Sequence, residues 1–273
     1  MSLMSRLAGV AGQPIAHSLS PLIHTTWLRE AGLDARYEPF GPEDPAGFAL
    51  LVAEGRAGKL AGLNVTAPFK EQALALADAA TITARTCGSA NLLTFREGRI
   101  EADSTDGEGL MQALAEQAPG LDVKDRPVVI LGAGGAARAG ALALKQAGAK
   151  VGLLNRTRAR AEVLAAELGV SVAEDEALDD AALIVNALSV RPEVDVARFR
   201  PDAVLMDMTY KPLITPFLAA GRARGLTTVD GLAMLIGQAR PSFQALFGIK
   251  APDGDVRDVV LRALGEKTGG EPA

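Results

Sequence analysis

From Leu7 to about Phe95, short apolar runs alternate with longer segments in which apolar residues recur at helical spacing. The runs predict strands at Leu7–Val10, Ala35–Phe40 and Leu60–Val65, and the spaced segments predict helices from Pro21 and around Pro45–Glu54. An open, mostly parallel sheet meets this alternation, because each helix carries the chain back across a sheet face and buries its own apolar stripe there. Asn91–Ala102 reads as a hairpin-like segment that leads into a helix through Leu110, Leu114 and Ala115. A second alternation starts at Val128, with strands at Val128–Leu131, Val151–Leu154, Leu183–Asn186, Val204–Met208 and Leu226–Val229 separated by alanine-rich helices. Ala118–Asp125 lacks periodicity and reads as the connection between the halves, while Gly231–Gln238 reads as a helix returning to the first. The expected division is a domain of residues 1–106 and 231–273 and a second domain of residues 107–230, in a chain without internal repeats.

Composition narrows the class. At 273 residues the chain is ample for two modest domains. Hydrophobic residues make up 48%, but no apolar run is long enough to span a bilayer and no charged-then-apolar leader is present, so a soluble protein with no membrane partner is expected. A net charge of −5 without a long basic stripe argues against nucleic acid as a partner. A single cysteine, Cys87, excludes an internal disulfide and suits the cytoplasm. His17 and His24 are the only two histidines and read as structural, so no metal is expected. Met1-Ser2-Leu3 ahead of Met4 reads as an expression scar, and the polar tail Gly265–Ala273 as a frayed end.

Candidate chemistry concentrates in Gly62-Leu63-Asn64-Val65-Thr66-Ala67-Pro68-Phe69-Lys70. Asn64 and Thr66 alternate on one face at the end of the strand, Pro68 suits the first position of a helix, and Lys70 then falls in that helix's first turn. The first turn carries the positive end of the helix dipole, which makes it an unfavourable place for a cation. Asp106 opens the next predicted helix, where a carboxylate is favoured. An anionic Asp106 beside Lys70 would offset the dipole. Taken singly, Lys70 also reads as a solvated surface lysine and Asp106 as a plain N-cap, and both readings stay open at this point.

Val128-Val129-Ile130-Leu131-Gly132-Ala133-Gly134-Gly135-Ala136-Ala137-Arg138 is strand, glycine turn and helix start in succession. Gly132 permits the tight turn, Gly134 lets the backbone approach a pyrophosphate, and the small Ala137 allows close packing of helix on strand. The helix N-terminus would supply N–H donors to the phosphates. With these flanks a dinucleotide outweighs an ordinary tight turn. The next strand ends in Leu154-Asn155-Arg156-Thr157-Arg158-Ala159-Arg160, with no acid to hold a ribose 2′-hydroxyl. Arg156 and Arg160 are assigned instead to the 2′-phosphate of NADP, whereas Arg158 reads as decoration of the following helix.

Gly12-Gln13-Pro14-Ile15-Ala16-His17-Ser18-Leu19-Ser20-Pro21 sets two hydroxyls ahead of a predicted helix. Ser20 reads as its N-cap, with Pro21 as the first helical residue. Ser18 has no such local role. Together with the helix terminus the two serines could hold a carboxylate without a formal positive charge.

This stretch resembles the shikimate dehydrogenase family, as do Gly62–Lys70, Ser104-Thr105-Asp106, Gly132–Arg138 with Asn155-Arg156-Thr157, and Asp230-Gly231-Leu232-Ala233-Met234-Leu235 with Gln238. The five motifs stand in the family's order and cover nearly the whole chain. The resemblance implies an α/β fold: an N-terminal α/β substrate domain with a mostly parallel sheet, a Rossmann-type doubly wound NADP domain, and an active site in the cleft between them. It implies reduction of 3-dehydroshikimate to shikimate, with Lys70 and Asp106 as the catalytic pair. Ser18 and Ser20 would bind the substrate carboxylate, with Tyr210 near it, and Asn64, Thr66, Asn91 and Gln238 would hold the ring hydroxyls. Gly132, Ala133, Gly134, Gly135, Ala136, Asn155, Arg156, Thr157 and Arg160 would hold NADP. A small-molecule substrate is thus the expected partner, and pairing into a homodimer is left open.

The chain departs from the family pattern at Thr25, Leu92, Ser104 and the Asn186-Ala187-Leu188-Ser189-Val190 loop. Those changes remove polar groups beside the expected cleft. They keep two alternatives in view: a quinate/shikimate-type dehydrogenase of altered substrate range, and a non-catalytic NADP-binding sensor.

Overall fold

The computed structural model describes residues 6–188 and 190–266, so Met1-Ser2-Leu3, Ser189 and the tail beyond Glu266 lie outside the described residues. The chain forms two compact units, one holding the residues up to Thr105 and those from Ala239 onward, the other Asp106–Gln238. Where the sequence suggests a division between residues 230 and 231, the helix Gly231–Phe247 is itself divided, its residues through Gln238 belonging to the second unit.

The sheet of the first unit runs in the order Ala35–Phe40, Arg6–Ala11, Gly62–Val65, Leu92–Arg96, Arg99–Asp103, Ala79–Ala80. Pairing is parallel among the first three strands and again at the last pair, and antiparallel on both sides of Leu92–Arg96. The expected mostly parallel sheet therefore carries an inserted hairpin. Its two-residue turn has Glu97 at φ 51° and Gly98 at φ 75°, the pair of positive φ values whose twist suits tightly joined strands. All four residues of Gly62–Val65 are buried, so this strand cannot shift without disturbing both neighbours. A Cβ at Gly62 would lie 2.5 Å from the Leu93 carbonyl oxygen and 2.4 Å from Leu246 Cδ2. Gly62→Ala is accordingly expected to destabilise the protein by about 1–3 kcal/mol, seen as a lowered midpoint in chemical denaturation.

Two helix starts differ from the sequence expectation. The first helix runs Ser20–Glu30, with Leu19 at its cap position and no side-chain cap, so Ser20 is the first helical residue rather than the N-cap. The helix after Gly62–Val65 runs Lys70–Leu76 with Phe69 at the cap position, so Pro68 lies outside it. The reason is packing: the Phe69 ring stacks on Phe48 at 4.8 Å in the core of this unit, and a turn with Phe69 N–H bonded to the Thr66 carbonyl delivers it there before the helix begins. Lys70 is then the first helical residue.

The second unit contains an all-parallel sheet in the order Thr227–Val229, Val204–Asp207, Leu183–Asn186, Pro127–Leu131, Lys150–Leu154, Ser171–Val172. Read from its Ser171–Val172 edge and numbered along the chain within this unit, the order is 3-2-1-4-5-6, the Rossmann arrangement, whose ligand crevice lies at the carboxyl ends of the strands where the order reverses. The strand Ser171–Val172 has no counterpart in the sequence reading, since two residues show no period. Leu110 of the helix Asp106–Gln117 and Leu144 of Gly135–Gln146 join Ile130, Leu153, Val185 and Met206 in the core of this unit. Helices Asp106–Gln117 and Gly231–Phe247 approach backbone to backbone, since a Cβ at Gly109 would lie 2.7 Å from the Gln238 amide nitrogen and from the Met234 carbonyl oxygen. No helix among the described residues is long and apolar enough to cross a membrane.

Candidate functional site

In the first unit the strand Gly62–Val65 and the residue just ahead of the hairpin deliver Asn64 and Asn91 into one buried network. Asn64 Oδ1 accepts from the Tyr37 hydroxyl at 2.8 Å, while its Nδ2 donates to the Asn91 carbonyl at 3.2 Å and to Ser242 Oγ at 2.9 Å. Asn91 extends the network, its Nδ2 donating to Thr105 Oγ1 at 2.9 Å and its Oδ1 accepting from the Thr105 N–H at 2.8 Å. Thr105 Oγ1 in turn lies 3.4 Å from Ser242 Oγ. All five side chains are buried, where polar groups left unpaired would be costly. The reciprocal bonds with Asn91 fix the residue immediately ahead of Asp106.

Thr66 and Lys70 are half-buried just past the strand end. Their backbones are anchored, Thr66 N–H to the Ala11 carbonyl at 2.9 Å and the Lys70 carbonyl to Ala90 N–H at 2.9 Å. In the loop after Arg6–Ala11 the roles of the two serines are exchanged relative to expectation. Ser18 Oγ accepts from the Ser20 N–H at 3.3 Å, so Ser18 does the local work, whereas the Ser20 side chain caps nothing. His17 is exposed. His24 is fully buried and stacked on Tyr37 at 4.0 Å, a packing role as the sequence suggests.

In the second unit Asp106 is the half-buried first residue of Asp106–Gln117. Gln238 is nearly buried, its Nε2 donating to the Leu235 carbonyl at 2.9 Å. Tyr210 follows the strand Val204–Asp207, and burial raises its phenol above the ordinary value, so it is a protonated donor at neutral pH. Of the departures, Thr25 is exposed, Leu92 and Ser104 are buried, and Leu188 N–H donates to Asn186 Oδ1 at 3.1 Å.

The glycine turn follows the strand Pro127–Leu131. Gly132 has φ 120°, a conformation that side chains rarely adopt. Its N–H bonds the Leu154 carbonyl at 2.8 Å, tying the turn to the end of the next strand. The helix Gly135–Gln146 starts after Gly134 without a side-chain cap, and a Cβ built at Gly134 or Gly135 would meet nothing within 4 Å. A helix start without a side-chain cap leaves its first N–H groups for a phosphate, and the open space at both glycines leaves room for a ligand to approach the backbone. Ala137 is fully buried against the core of this unit. At the adjoining strand end Asn155 Nδ2 donates to the Thr157 carbonyl at 2.8 Å and shapes the loop. Arg158 is consumed by Glu162 at 2.9 Å and by Glu174. Arg156 and Arg160 are exposed and form no ion pair among the described residues, which leaves two guanidinium groups for an anionic ligand. The donors present fit a phosphorylated dinucleotide. Among the described residues no group of three or more His, Cys, Asp or Glu could hold a metal ion.

Residues 10–93 match the family described as the shikimate dehydrogenase substrate binding domain, and residues 113–190 match the family described as shikimate / quinate 5-dehydrogenase. The shikimate dehydrogenase (NADP(+)) of Caulobacter vibrioides is 50% identical over 275 residues, covering 95% of this chain and 96% of that protein. The chain belongs to the shikimate dehydrogenase family. A crystal structure of the family's Thermus thermophilus member, shikimate 5-dehydrogenase in complex with NADP(H) and shikimate, superposes with a TM-score of 0.88 at 36% identity, covering 95% of this chain and 100% of that one. The quinate dehydrogenase of Corynebacterium glutamicum in complex with NAD has a TM-score of 0.86 at 26% identity, covering 94% of this chain and 99% of that one. Within this family frame, the members of the buried network to which the sequence assigns no role are Tyr37, Thr105 and Ser242. The signal for Ser242 is a hydroxyl beside Phe243 in an apolar helix, which demands a buried partner.

Proposed function

We propose that this family member is an NADP-dependent shikimate dehydrogenase, an oxidoreductase that interconverts 3-dehydroshikimate and shikimate. The observation that carries the reading is the 50% identity to a relative named shikimate dehydrogenase (NADP(+)), sustained over 95% of the chain and therefore over both units. NADP would be held by the N–H groups of the turn Gly132–Ala136, by Asn155 and Thr157 at the strand end, and by Arg156 and Arg160 at the 2′-phosphate. When bound, NADPH supplies the hydride that reduces the ketone. Negative charge then develops on the ketone oxygen, and the Lys70 ammonium stabilises it and donates the proton. Asp106, the other member of the catalytic pair, accepts from a neighbouring substrate hydroxyl. Ser18, Ser20 and Tyr210 bind the carboxylate, and Asn64, Thr66, Asn91 and Gln238 hold the ring. A small-molecule substrate and a cytoplasmic location are parts of the same reading, the latter supported by a single cysteine that is buried and unbridged.

The test is oxidation of shikimate with NADP, followed by nicotinamide absorbance. Turnover of shikimate in preference to quinate is expected. Activity confined to quinate, or cofactor binding without turnover, would replace the reading by one of its alternatives. Exchanging NADP for NAD in the same assay examines the two arginines. Each charge-assisted bond to phosphate contributes roughly 1.5–3 kcal/mol, or about ten- to a hundredfold in preference. Arg156→Ala and Arg160→Ala should therefore each raise KM for NADP by about tenfold or more while leaving KM for NAD nearly unchanged. Equal losses with both cofactors would sink the assignment.

A further inference from the structure

The hydrogen bonds of Asn64 restrict what that residue can offer a substrate. The Asn91 backbone carbonyl, 3.2 Å from the amide, is an acceptor only, so the amide end facing it is Nδ2 and the orientation of the side chain is fixed. The second Nδ2 hydrogen goes to Ser242 Oγ at 2.9 Å. Tyr37 occupies one lone pair of Oδ1 at 2.8 Å, and its buried phenol, raised well above its ordinary value by desolvation, remains a donor at working pH. An amide oxygen accepts two hydrogen bonds and an amide nitrogen donates two. Both donors and one lone pair are therefore committed inside the protein, and a single lone pair on Oδ1 is left.

We infer that Tyr37 and Ser242 are positioning residues that make Asn64 an acceptor-only contact, so that the substrate must present a hydroxyl, and not a keto or carboxylate oxygen, to it. The inference rests on the proposed reading in which Asn64 touches the substrate ring. Neither Tyr37 nor Ser242 needs to touch the substrate. Both are buried, at 4% and 0% exposure; Ser242 takes up the second amide hydrogen, and Tyr37 occupies one lone pair of Oδ1 and holds the side chain in place. Ser242 arrives from the far end of the chain, in the part of Gly231–Phe247 that belongs to the first unit. Its hydroxyl also lies 3.4 Å from Thr105 Oγ1, which leaves it few orientations in which to release Asn64. The Tyr37 ring is held independently by His24, parallel to it at 4.0 Å, so loss of the phenolic oxygen alone should leave the ring in place.

The experiment compares shikimate with analogues that each lack one ring hydroxyl, using the full-length chain with NADP. The unaltered enzyme should lose about tenfold or more in kcat/KM with the analogue lacking the hydroxyl that faces Asn64. In Tyr37→Phe the KM for shikimate should rise about two- to tenfold with kcat within about twofold, and the penalty for that analogue should shrink. Ser242→Ala removes the partner of the second Nδ2 hydrogen and so holds the amide less firmly. KM for shikimate should again rise about two- to tenfold, and the penalty for that analogue should again shrink. If Tyr37→Phe does not fold, Ser242→Ala carries the comparison alone. Unchanged discrimination among the analogues in the folded variants overturns the inference while leaving the enzyme a shikimate dehydrogenase. Absence of shikimate turnover by the unaltered chain overturns both.

Discussion

Lys70→Ala is expected to lower kcat for shikimate by about 10²–10⁴ with little change in KM. The backbone of Lys70 is held by its carbonyl bond to Ala90 N–H at 2.9 Å, and the residue begins the helix Lys70–Leu76. Alanine is a strong helix former, so the substitution removes the amine without disturbing the turn that presents it. On the proposed reading, what is lost is a proton donor and a positive charge at an oxygen that becomes anionic only as hydride arrives. That interaction is stronger in the transition state than with bound substrate, so its removal falls on kcat rather than on KM. Steady-state rates at saturating shikimate and NADP give the answer directly. A variant with near-normal kcat would leave Lys70 no part in the chemistry, and a pure rise in KM would make it a binding residue. Asp106→Asn, which keeps the shape and removes the charge, should show the same pattern in milder form.

Acid should destabilise the protein through His24, by an amount comparable to the whole stability of many domains. Burial lowers the pKa of His24 from 6.5 to about 3, and neither ring nitrogen has a hydrogen-bond partner among the described residues. The folded-state value lies below the unfolded one, so as pH falls the unfolded chain binds the proton first. Stability is complete above about pH 6.5, falls as pH drops toward about 3, and is lost no further below that through this group. At about 1.4 kcal/mol for each pH unit of that window the loss approaches about 4–5 kcal/mol, against a typical total of about 5–15 kcal/mol. His24→Phe retains a ring to stack on Tyr37 and has no proton to bind. Urea midpoints measured from pH 7 to pH 3.5 should decline less steeply in the variant. Parallel declines in the two proteins would assign acid lability to other groups.

Much of the architecture is legible along the chain where an element is long enough to show a period. Ala35–Phe40 and Leu183–Asn186 have the bounds that their apolar runs suggest. Ala79–Ala80 and Ser171–Val172 do not, since a two-residue strand is defined by its neighbour and not by its own pattern. The terminal helix Val256–Leu264 is absent from the sequence reading although Asp255 caps it and Gly265 closes it in the left-handed region, so the signal is present in the residue types. The displaced helix starts at Ser20 and Lys70 have another origin. Local capping preferences give way to tertiary demands, in one case to the burial of Phe69 against Phe48. Among the arginines, Arg158 can be set apart by sequence, but its partner Glu174 lies across a turn that only the fold brings near. The network around Asn64 is the least readable part, because Tyr37, Asn64, Asn91, Thr105 and Ser242 come from five separate segments.

The discontinuity of the first unit has a consequence during synthesis. The second unit is a single uninterrupted stretch, Asp106–Gln238, so all of its sequence has been translated while the first unit still lacks Ser242, Phe243 and Leu246. Until those residues emerge, Asn64 has no Ser242 to accept from its amide, and Trp27 lacks the Phe243 ring that sits 5.6 Å away in the finished protein. Domains fold as units, and here the order of birth is reversed. The part of the chain made first is the part completed last, and a nascent chain stalled soon after Gln238 has emerged would carry both a finished nucleotide-binding fold and an open apolar seam.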